Sequence, residues 1–442
     1  MEPNVILLIC DGLRRDVPGL YGGEAKMPFL DSLAKDAMVY ENALTPAPHT
    51  FPAHISLFTG LYASQHGVHE TDKLKLLDLI SYSERLEAER LAESLSKKGY
   101  NTFGISNNIV VSPFTGFDKG FNNYICLDPA PKTKEEEIFS EARKLGSSPG
   151  AIAKVLIKRG QFRRLFAYVR AWRRINKINR ALNYPIEKGS SLVNDILENC
   201  KFGDKFFAFI NLIEMHEPYP GYNPKETWDN FTGVKKTSDK KVAYLKRQYL
   251  LEAEHLDQAI GRMVKTLKER EVYDNTMLII TSDHGQAFNE HGYMYHGTPG
   301  LNEEMARIPL IIKYPNQRKF KKKEGYQSLV NIKRLIHSII EGGDDSVLTK
   351  EVEFSETYGT VVSLPGGYES RKKYVEDTYE RVMKSVYKDG YKLTVDGTGG
   401  TVSEFLKGKD EIDIEDAPEE AKELLKEIAR FKVEKDFKMP DI

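Results

Sequence analysis

Short apolar runs alternate with amphipathic stretches along residues 4–315, and this alternation restricts the possible folds more than any other feature of the chain. The runs have the length of buried strands, and the stretches between them repeat apolar residues at helical spacing. Strands that alternate with helices form a mostly parallel sheet with helices on both faces, so we predict an α/β fold. The predicted strands are NVILLIC (4–10), YNTFGIS (100–106), KFFAFINLI (205–213), NTMLIITS (275–282) and IPLIIKY (308–314), and the predicted helices are MPFLDSLAKDA (27–37), ERLAESLSKKG (89–99) and YLLEAEHLDQAIGRMVKTLKER (249–270).

The charged stretch NQRKFKKKEG (316–325) predicts an exposed loop at a domain boundary. We expect a large α/β domain over residues 1–316 and a smaller α+β subdomain over residues 317–442. A basic helical insertion is predicted within the large domain at about residues 135–187. Residues 143–186 hold twelve Lys or Arg and no Asp or Glu. Such a segment is either a solvated basic helix packed on the domain, or a lid or docking surface for an anionic substrate or a membrane surface.

Composition excludes several classes of protein. A formal net charge of −1 over 442 residues creates no field that would attract nucleic acid, and no nucleic-acid-binding module accompanies the basic segment. The three cysteines form no disulfide framework and lack metal-ligand spacing. The stretch MEPNVILLICDGLRRD lacks the basic start of a signal peptide, and no apolar run approaches the ~20 residues of a membrane span. We expect a cytoplasmic protein with no nucleic-acid partner, and composition does not indicate its oligomeric state.

Polar clusters follow three of the predicted strands at their carboxyl ends. Asp11 follows the first strand, EMHEPY (214–219) the third, and Asp283–His284 the fourth. In a parallel sheet these ends meet at one edge, where the sites of such folds lie. A carboxylate at a strand end is commonly a helix cap, but two carboxylates beside an imidazole suggest a divalent metal site. This donor set suits Zn²⁺ or Mn²⁺ better than Ca²⁺, which prefers oxygen ligands.

Thr50 precedes a proline that suits the first turn of a short helix ending near Gly60. It is either the N-cap of that helix or a metal-activated nucleophile. A threonine hydroxyl is a weak nucleophile at neutral pH, and a metal can convert it into an alkoxide. The positive end of the helix would favour a bound anion by about 1 kcal/mol. The predicted ligands of one ion are thus Asp11, Thr50, Asp283 and His284.

Charge on the group being transferred would require further polar side chains. His216 and His296 are the candidates for stabilising this charge or assisting the leaving oxygen, because both lie in loops after strand ends. His291 is a candidate ligand for a second metal ion. His54 lies on the helix of Thr50 and would face either the substrate or the core.

These motifs resemble the sulfatase branch of the alkaline phosphatase superfamily. The resemblance implies an alkaline-phosphatase-like fold and a metal-dependent hydrolase of phosphoric or sulfuric esters. In addition, YKDGYKL (387–393) resembles the small antiparallel domain that closes sulfatases. The matching segments are NVILLICDGLRRD (4–16), TFPAHISLFTGLYASQHGV (50–68), FFAFINLIEMHEPY (206–219), the stretch from YLLEAEHLDQ to TSDHG (249–285) and HGTPGLNEEMARIPLIIKYP (296–315).

The nucleophile segment departs from the pattern of that family. Sulfatases carry Cys-x-Pro-x-Arg, whose Cys becomes formylglycine, and here Thr50 and His54 occupy the Cys and Arg positions. Formylglycine cannot be made from threonine. TFPAH and the Asp11–Gly12 pair instead resemble nucleotide pyrophosphatases/phosphodiesterases, in which threonine attacks phosphorus. Their Asp-x-x-x-His pair for a second metal has no match. A one-metal site with a threonine nucleophile resembles the phosphoethanolamine and phosphoglycerol transferases, which are membrane-anchored.

We predict a metal-dependent hydrolase with one ion, or two, in which Thr50 attacks a phosphodiester, phosphonate or sulfuric ester and forms a covalent intermediate. The resemblance implies an anionic small-molecule, glycan or lipid-headgroup ester as substrate. Two alternatives stay open. One is a transferase that passes the phospho group to a glycan or lipid hydroxyl. The other is a catalytically silent relative that binds anions through residues 143–186.

Overall fold

A computed structural model describes residues 2–69, 86–127, 149–160, 162, 165, 188–292, 294–298, 300–361, 364–431 and 434–440. Most of the predicted basic insertion lies outside these described residues. The strands are β1 (Asn4–Cys10), β2 (Met38–Leu44), β3 (Asn101–Ser106), β4 (Asn123–Cys126), β5 (Phe206–Leu212), β6 (Thr276–Thr281), β7 (Ala287–Phe288), β8 (Met294–Tyr295), β9 (Leu310–Lys313), β10 (Lys321–Ser328), β11 (Thr349–Lys350), β12 (Val352–Thr357), β13 (Met383–Lys388), β14 (Tyr391–Asp396), β15 (Thr401–Lys407) and β16 (Asp410–Glu411). The α-helices are α1 (Pro28–Ala34), α2 (Thr50–Thr59), α3 (Ala63–His66), α4 (Leu91–Lys97), α5 (Pro149–Lys158), α6 (Ser190–Asn199), α7 (Pro224–Phe231), α8 (Asp239–Glu269), α9 (Glu303–Ala306), α10 (Ile332–Ile340), α11 (Lys372–Tyr379) and α12 (Pro418–Arg430).

A nine-stranded sheet organises the larger part of the molecule, in the order β11-β10-β2-β9-β6-β1-β5-β3-β4. Its strands are mostly parallel, and β1 lies between β5 and β6 in parallel register with both. Two strands run the other way, because β9 pairs antiparallel with β2 and β6, and β11 pairs antiparallel with β10. The predicted mostly parallel α/β sheet is confirmed.

Helices cover both faces of this sheet. Side chains of β1 alternate between the two cores, with Ile6 and Leu8 in one and Val5 and Leu7 in the other. Helices α1, α6 and α8 pack on the first face, and helices α2, α4 and α10 pack on the second. A strand buried on both faces needs apolar residues on both, which explains why VILLIC (5–10) is continuously apolar after Asn4.

The large sheet extends beyond the boundary predicted at residue 316. Strand β10 (Lys321–Ser328) pairs with β2, so the charged stretch that predicted an exposed loop continues into an edge-side strand. Its lysines are exposed or half-buried, so this strand lacks the apolar run by which a strand is predicted from sequence. The smaller sheet begins at Val352, where β12 to β16 form five antiparallel strands packed on α12. The predicted C-terminal α+β subdomain is confirmed in architecture.

The five predicted strands correspond to β1, β3, β5, β6 and β9, and the three predicted helices to α1, α4 and α8. Helix α8 begins at Asp239, ten residues before the predicted start at 249. Among the described helices, none is long and apolar enough to cross a lipid bilayer.

Candidate active site

The candidate site lies at the carboxyl ends of four neighbouring strands, β6, β1, β5 and β3. Asp11 follows β1, Asp283 and His284 follow β6 after one serine, and His216 lies four residues beyond β5. Asn108 lies two residues beyond β3. The parallel register therefore brings together side chains that are up to 273 positions apart in sequence.

Asp11, Asp283 and His284 form a compact buried group whose potential ligand atoms all lie within 4.8 Å of one another. His284 Nε2 is 3.7 Å from Asp11 Oδ1 and 3.5 Å from Asp283 Oδ2. His284 Nδ1 donates to the carbonyl of Gly285 at 2.8 Å, so the lone pair of Nε2 faces the two carboxylates. The structure thus brings these three predicted ligands together.

Two buried oxygens of this group, Asp11 Oδ1 and Asp283 Oδ2, have no hydrogen-bond partner among the described residues. A buried carboxylate oxygen without a partner is costly, so such atoms usually mark a bound ion or a water. The second oxygens are held: Asp11 Oδ2 accepts from Asn108 Nδ2 at 2.9 Å, and Asp283 Oδ1 accepts from the Gly12 amide at 3.2 Å. The donor set fits a divalent ion.

The pKa values of the two carboxyl groups shift in opposite directions. Burial, followed by repulsion from Asp283, raises the pKa of Asp11. Burial also opposes ionisation of Asp283, but attraction by His284 and His54 outweighs it and lowers the pKa of Asp283. Two carboxylates held this close would repel each other strongly without a cation between them.

Thr50 is the first residue of α2, and its hydroxyl lies beside the carboxylate–histidine group. Thr50 Oγ1 is 3.1 Å from His284 Nε2 and donates to it. The N-cap of α2 is His49, in an extended conformation, so the N-cap interpretation of Thr50 is wrong. The helix ends at Gly60, as predicted, with a left-handed φ of 75°.

His54 lies one helical turn after Thr50 and is fully buried. Its Nδ1 donates to the Thr50 carbonyl at 2.8 Å and is 3.6 Å from Asp283 Oδ2. The ring also contacts Phe117 and Phe209 edge-on, each with centroids 5.9 Å away. His54 therefore joins the core to the carboxylate group rather than facing the substrate pocket.

His216 and His296 lie together with Glu217 in a second group within 4.8 Å. The imidazole centroids of His216 and His296 are 4.6 Å apart, and His296 stacks on His284 at the same distance. Burial lowers the pKa of His216, but Glu217 and Asp11 outweigh this effect and raise it overall. Burial, together with His216 and His284, lowers the pKa of His296 well below its usual range.

A pocket of about 400 Å³ opens over these groups. Its polar lining includes Thr50, Asn108 and the two histidines. Its apolar lining includes Ile109, Val110 and Ile213. The pocket can therefore place an anionic ester group against Thr50 and a less polar substituent beside it.

Several site residues were not predicted from the sequence. Asn108 holds Asp11, Glu217 joins the two histidines, and Gln286 bridges Glu217 and His296 through its amide. Glu217 lies inside the selected EMHEPY cluster and Gln286 directly follows the DHG motif, and these positions are the only signal the sequence offers for them. His291, the candidate second ligand, is half exposed, lies 3.6 Å from Glu304 and joins neither described group.

The family model for sulfatases matches residues 3–340 of this chain. An arylsulfatase of Clostridium perfringens is 25% identical over 376 residues, which cover 77% of this chain and 75% of that protein. The multifunctional alkaline phosphatase superfamily protein PehA of Trinickia caryophylli is 23% identical over 395 residues, covering 74% of this chain and 72% of PehA.

A phosphonate monoester hydrolase of Agrobacterium radiobacter has the same fold. Its crystal structure superimposes with a TM-score of 0.64 at 15% identity, covering 97% of this chain and 94% of that one. The family model spans most of the chain, the arrangement of the large sheet agrees with this fold, and the buried carboxylate–histidine group lies where the motifs of that family meet. The chain therefore belongs to the sulfatase family of ester hydrolases.

Proposed function

We propose that this protein is a metal-dependent hydrolase that cleaves phosphodiesters or phosphonate monoesters through a covalent ester of Thr50. One observation carries the proposal: the Thr50 hydroxyl lies 3.1 Å from His284 Nε2, which faces two buried carboxylate oxygens without a hydrogen-bond partner in the part of the chain that the structure describes. Asp11, Thr50, Asp283 and His284 would hold one divalent ion, with Zn²⁺ or Mn²⁺ favoured over Ca²⁺ by the imidazole.

The residue at position 50 separates this chain from sulfatases that use formylglycine, because threonine cannot be converted into that aldehyde. The nearest cysteine in sequence, Cys10, is fully buried and packs on the sheet face opposite α2. A hydroxyl nucleophile remains, and phosphorus esters are the substrates on which we expect it to act.

The chemistry follows from the placement of the side chains. A bound divalent ion would supply positive charge that favours the Thr50 alkoxide and polarises the ester. Thr50 Oγ attacks phosphorus, the bond to the leaving oxygen breaks, and the phospho group stays on Thr50. Water then attacks phosphorus and releases Thr50. Backbone amides at the start of α2 favour the anion through the helix dipole.

The test is turnover of four chromogenic substrates with added Mn²⁺ or Zn²⁺: an aryl phosphodiester, a phosphonate monoester, a phosphomonoester and an aryl sulfate. We expect Thr50→Ala to lower kcat/KM on the phosphodiester or phosphonate by at least ~10³-fold, because it removes the nucleophile. Thr50→Ser keeps a hydroxyl and should retain part of the activity.

Thr59→Ala is the matched control. Thr59 is buried on the same helix and donates to the Ile55 carbonyl at 2.7 Å, so its loss tests damage to α2 without removing the nucleophile. Undiminished turnover by Thr50→Ala would refute the proposal. Release of the free product in water, without an added acceptor alcohol, would distinguish hydrolysis from group transfer.

A further inference from the structure

Gln286 is fully buried and makes three side-chain hydrogen bonds at the rim of the candidate site. Its Nε2 donates to Glu217 Oε2 at 2.7 Å and to the Tyr219 hydroxyl at 3.1 Å. Its Oε1 is 2.9 Å from His296 Nδ1. One amide thus joins the turn after β5 to the histidine after β8.

The orientation of this amide follows from its partners. The amide nitrogen of Gln286 faces Glu217, because it donates to Glu217 Oε2. The Tyr219 hydroxyl donates to the Met215 carbonyl at 2.6 Å and therefore accepts the second amide hydrogen. The amide oxygen is left facing His296, which must donate from Nδ1.

A hydrogen on Nδ1 leaves a lone pair on Nε2 of the neutral imidazole of His296. His216 has the same arrangement, because its Nδ1 donates to the Glu217 carbonyl at 2.6 Å. Both side chains border the pocket that Thr50 also lines. In their neutral form they offer Nε2 lone pairs, which can accept a proton.

We propose that Gln286 is a positioning residue that fixes the tautomer of His296, so that His296 Nε2 accepts the proton of the attacking water. This inference rests on the proposed Thr50 ester. In the release step the bond from water oxygen to phosphorus forms, and the bond from phosphorus to Thr50 Oγ breaks. The electron pair of that bond goes to Thr50 Oγ, and the water proton goes to His296 Nε2.

Two variants of Gln286 test the inference kinetically in the metal-loaded protein. Gln286→Met removes all three hydrogen bonds at nearly constant volume, and we expect kcat to fall about 10–100-fold with KM unchanged. Gln286→Glu combined with Glu217→Gln keeps an oxygen that accepts from His296 Nδ1 and a donor–acceptor pair between positions 286 and 217, so it should recover part of the kcat lost in Gln286→Met.

Gln327→Met is the matched control. Gln327 is also fully buried, but its amide donates to the Gly325 carbonyl and the Thr349 hydroxyl in β10 and β11, away from the pocket. It should lose stability without losing kcat. An equal kcat for Gln286→Met and Gln327→Met would overturn the role of Gln286.

The tautomer itself can be read from long-range ¹H–¹⁵N correlation spectra of protein labelled at histidine, with His296→Gln assigning the signals. We expect a protonated Nδ1 and an unprotonated Nε2 at neutral pH, and a mixture of tautomers in Gln286→Met. A protonated Nε2 in the wild-type protein would overturn the inference. A metal content of two ions per chain, with one ion lost in His296→Gln, would also overturn the inference. His296 Nε2 would then be a metal ligand and could not accept a proton.

The spectra do not depend on turnover, so the two proposals can fail separately. Retained turnover by Thr50→Ala refutes the covalent mechanism, whatever the tautomer of His296. An intact Thr50 dependence with an unaffected Gln286→Met refutes the role of Gln286 alone.

Discussion

Asn108 controls which oxygen of Asp11 is available to an ion. Its Nδ2 donates to Asp11 Oδ2 at 2.9 Å, and its Oδ1 accepts from the Val110 amide at 2.9 Å, which fixes the direction of the side-chain amide. Asp11 Oδ1 is left facing His284 Nε2 at 3.7 Å. Asn108 thereby sets the orientation of Asp11, one of the proposed metal ligands.

We expect Asn108→Ala to weaken divalent metal binding and to lower kcat about 10–100-fold, because Asp11 loses its orienting partner. Titration of the metal-free protein with Mn²⁺ or Zn²⁺ measures the first effect, and turnover measures the second. Asn101→Ala is the control, since Asn101 starts the same strand and donates to the Phe202 carbonyl at 3.1 Å. Equal metal affinity in the two variants would contradict the orienting role.

Strand ends predict the positions of Asp11, Asp283 and His284 from sequence, because a polar residue that closes an apolar run marks the edge of a parallel sheet. Glu217 and Gln286 follow no such rule. Their contact joins two loops that are 69 positions apart, and its direction depends on which hydrogens neighbouring groups donate. A hydrogen bond of this kind can be recognised only in the folded structure, where the positions of both loops are known.

At the scale of secondary-structure elements, the His66 side chain links helix α3 to helix α2. Its Nε2 is 2.9 Å from Ser56 Oγ on α2, and its Nδ1 accepts from the Val68 amide at 3.1 Å. An imidazole that accepts at Nδ1 and donates at Nε2 must be neutral. Burial, with a smaller effect of His69, lowers the pKa of His66 to about 3.

This pKa shift predicts a loss of stability in acid. Below the usual pKa of about 6.5, the unfolded chain takes up a proton at His66 that the folded chain does not. The His66 contribution to the free energy of unfolding is therefore fully present above pH 6.5. It falls by about 1.4 kcal/mol per pH unit as the pH drops toward 3. Urea denaturation at several pH values measures the slope.

The comparison variant is His66→Gln, whose stability should depend less steeply on pH over the same range. Ser56→Ala removes the hydroxyl partner but keeps the buried imidazole, so it should be less stable than the wild type and retain the steep slope. Parallel pH profiles for His66→Gln and the wild type would show that His66 does not titrate in this way.

Elements differ in how well sequence predicts them. Apolar runs such as β1 and β5 are unmistakable, since both faces are buried. Strand β10 begins with three lysines, and its sequence predicts a loop, because only its last three residues are buried. The reversed direction of β9 also has no local signal, since an apolar strand looks the same in either orientation.

At the scale of the whole molecule, the small sheet docks on the large domain through Glu356 of β12. Its carboxylate accepts from the Ser64 amide of α3 at 2.6 Å and pairs with Lys384 Nζ at 2.9 Å. Glu356 and Lys384 are both fully buried. Two buried opposite charges require each other, because either one alone would remain unpaired in a medium of low polarity.

We expect Lys384→Met to reduce the free energy of unfolding by about 3–5 kcal/mol, since it leaves the Glu356 carboxylate without its cation. Adding Glu356→Gln should restore part of this loss. Lys388→Met on the same strand is the control, because Lys388 pairs with Glu423 and Glu427 near the surface and should contribute less than about 1 kcal/mol. A loss below that level for Lys384→Met would contradict the prediction.

The central position of β1 also has a consequence for biosynthesis. Its two neighbours in the sheet begin at residues 206 and 276, so the strand leaves the ribosome about 200 residues before either partner exists. At typical elongation rates this interval is about 10–40 s. Throughout it, the six-residue apolar run at 5–10 has neither neighbouring strand to pair with. If the proposed site holds an ion, its ligands Asp283 and His284 exist only after residue 284 has been synthesised, so metal loading would be a late event.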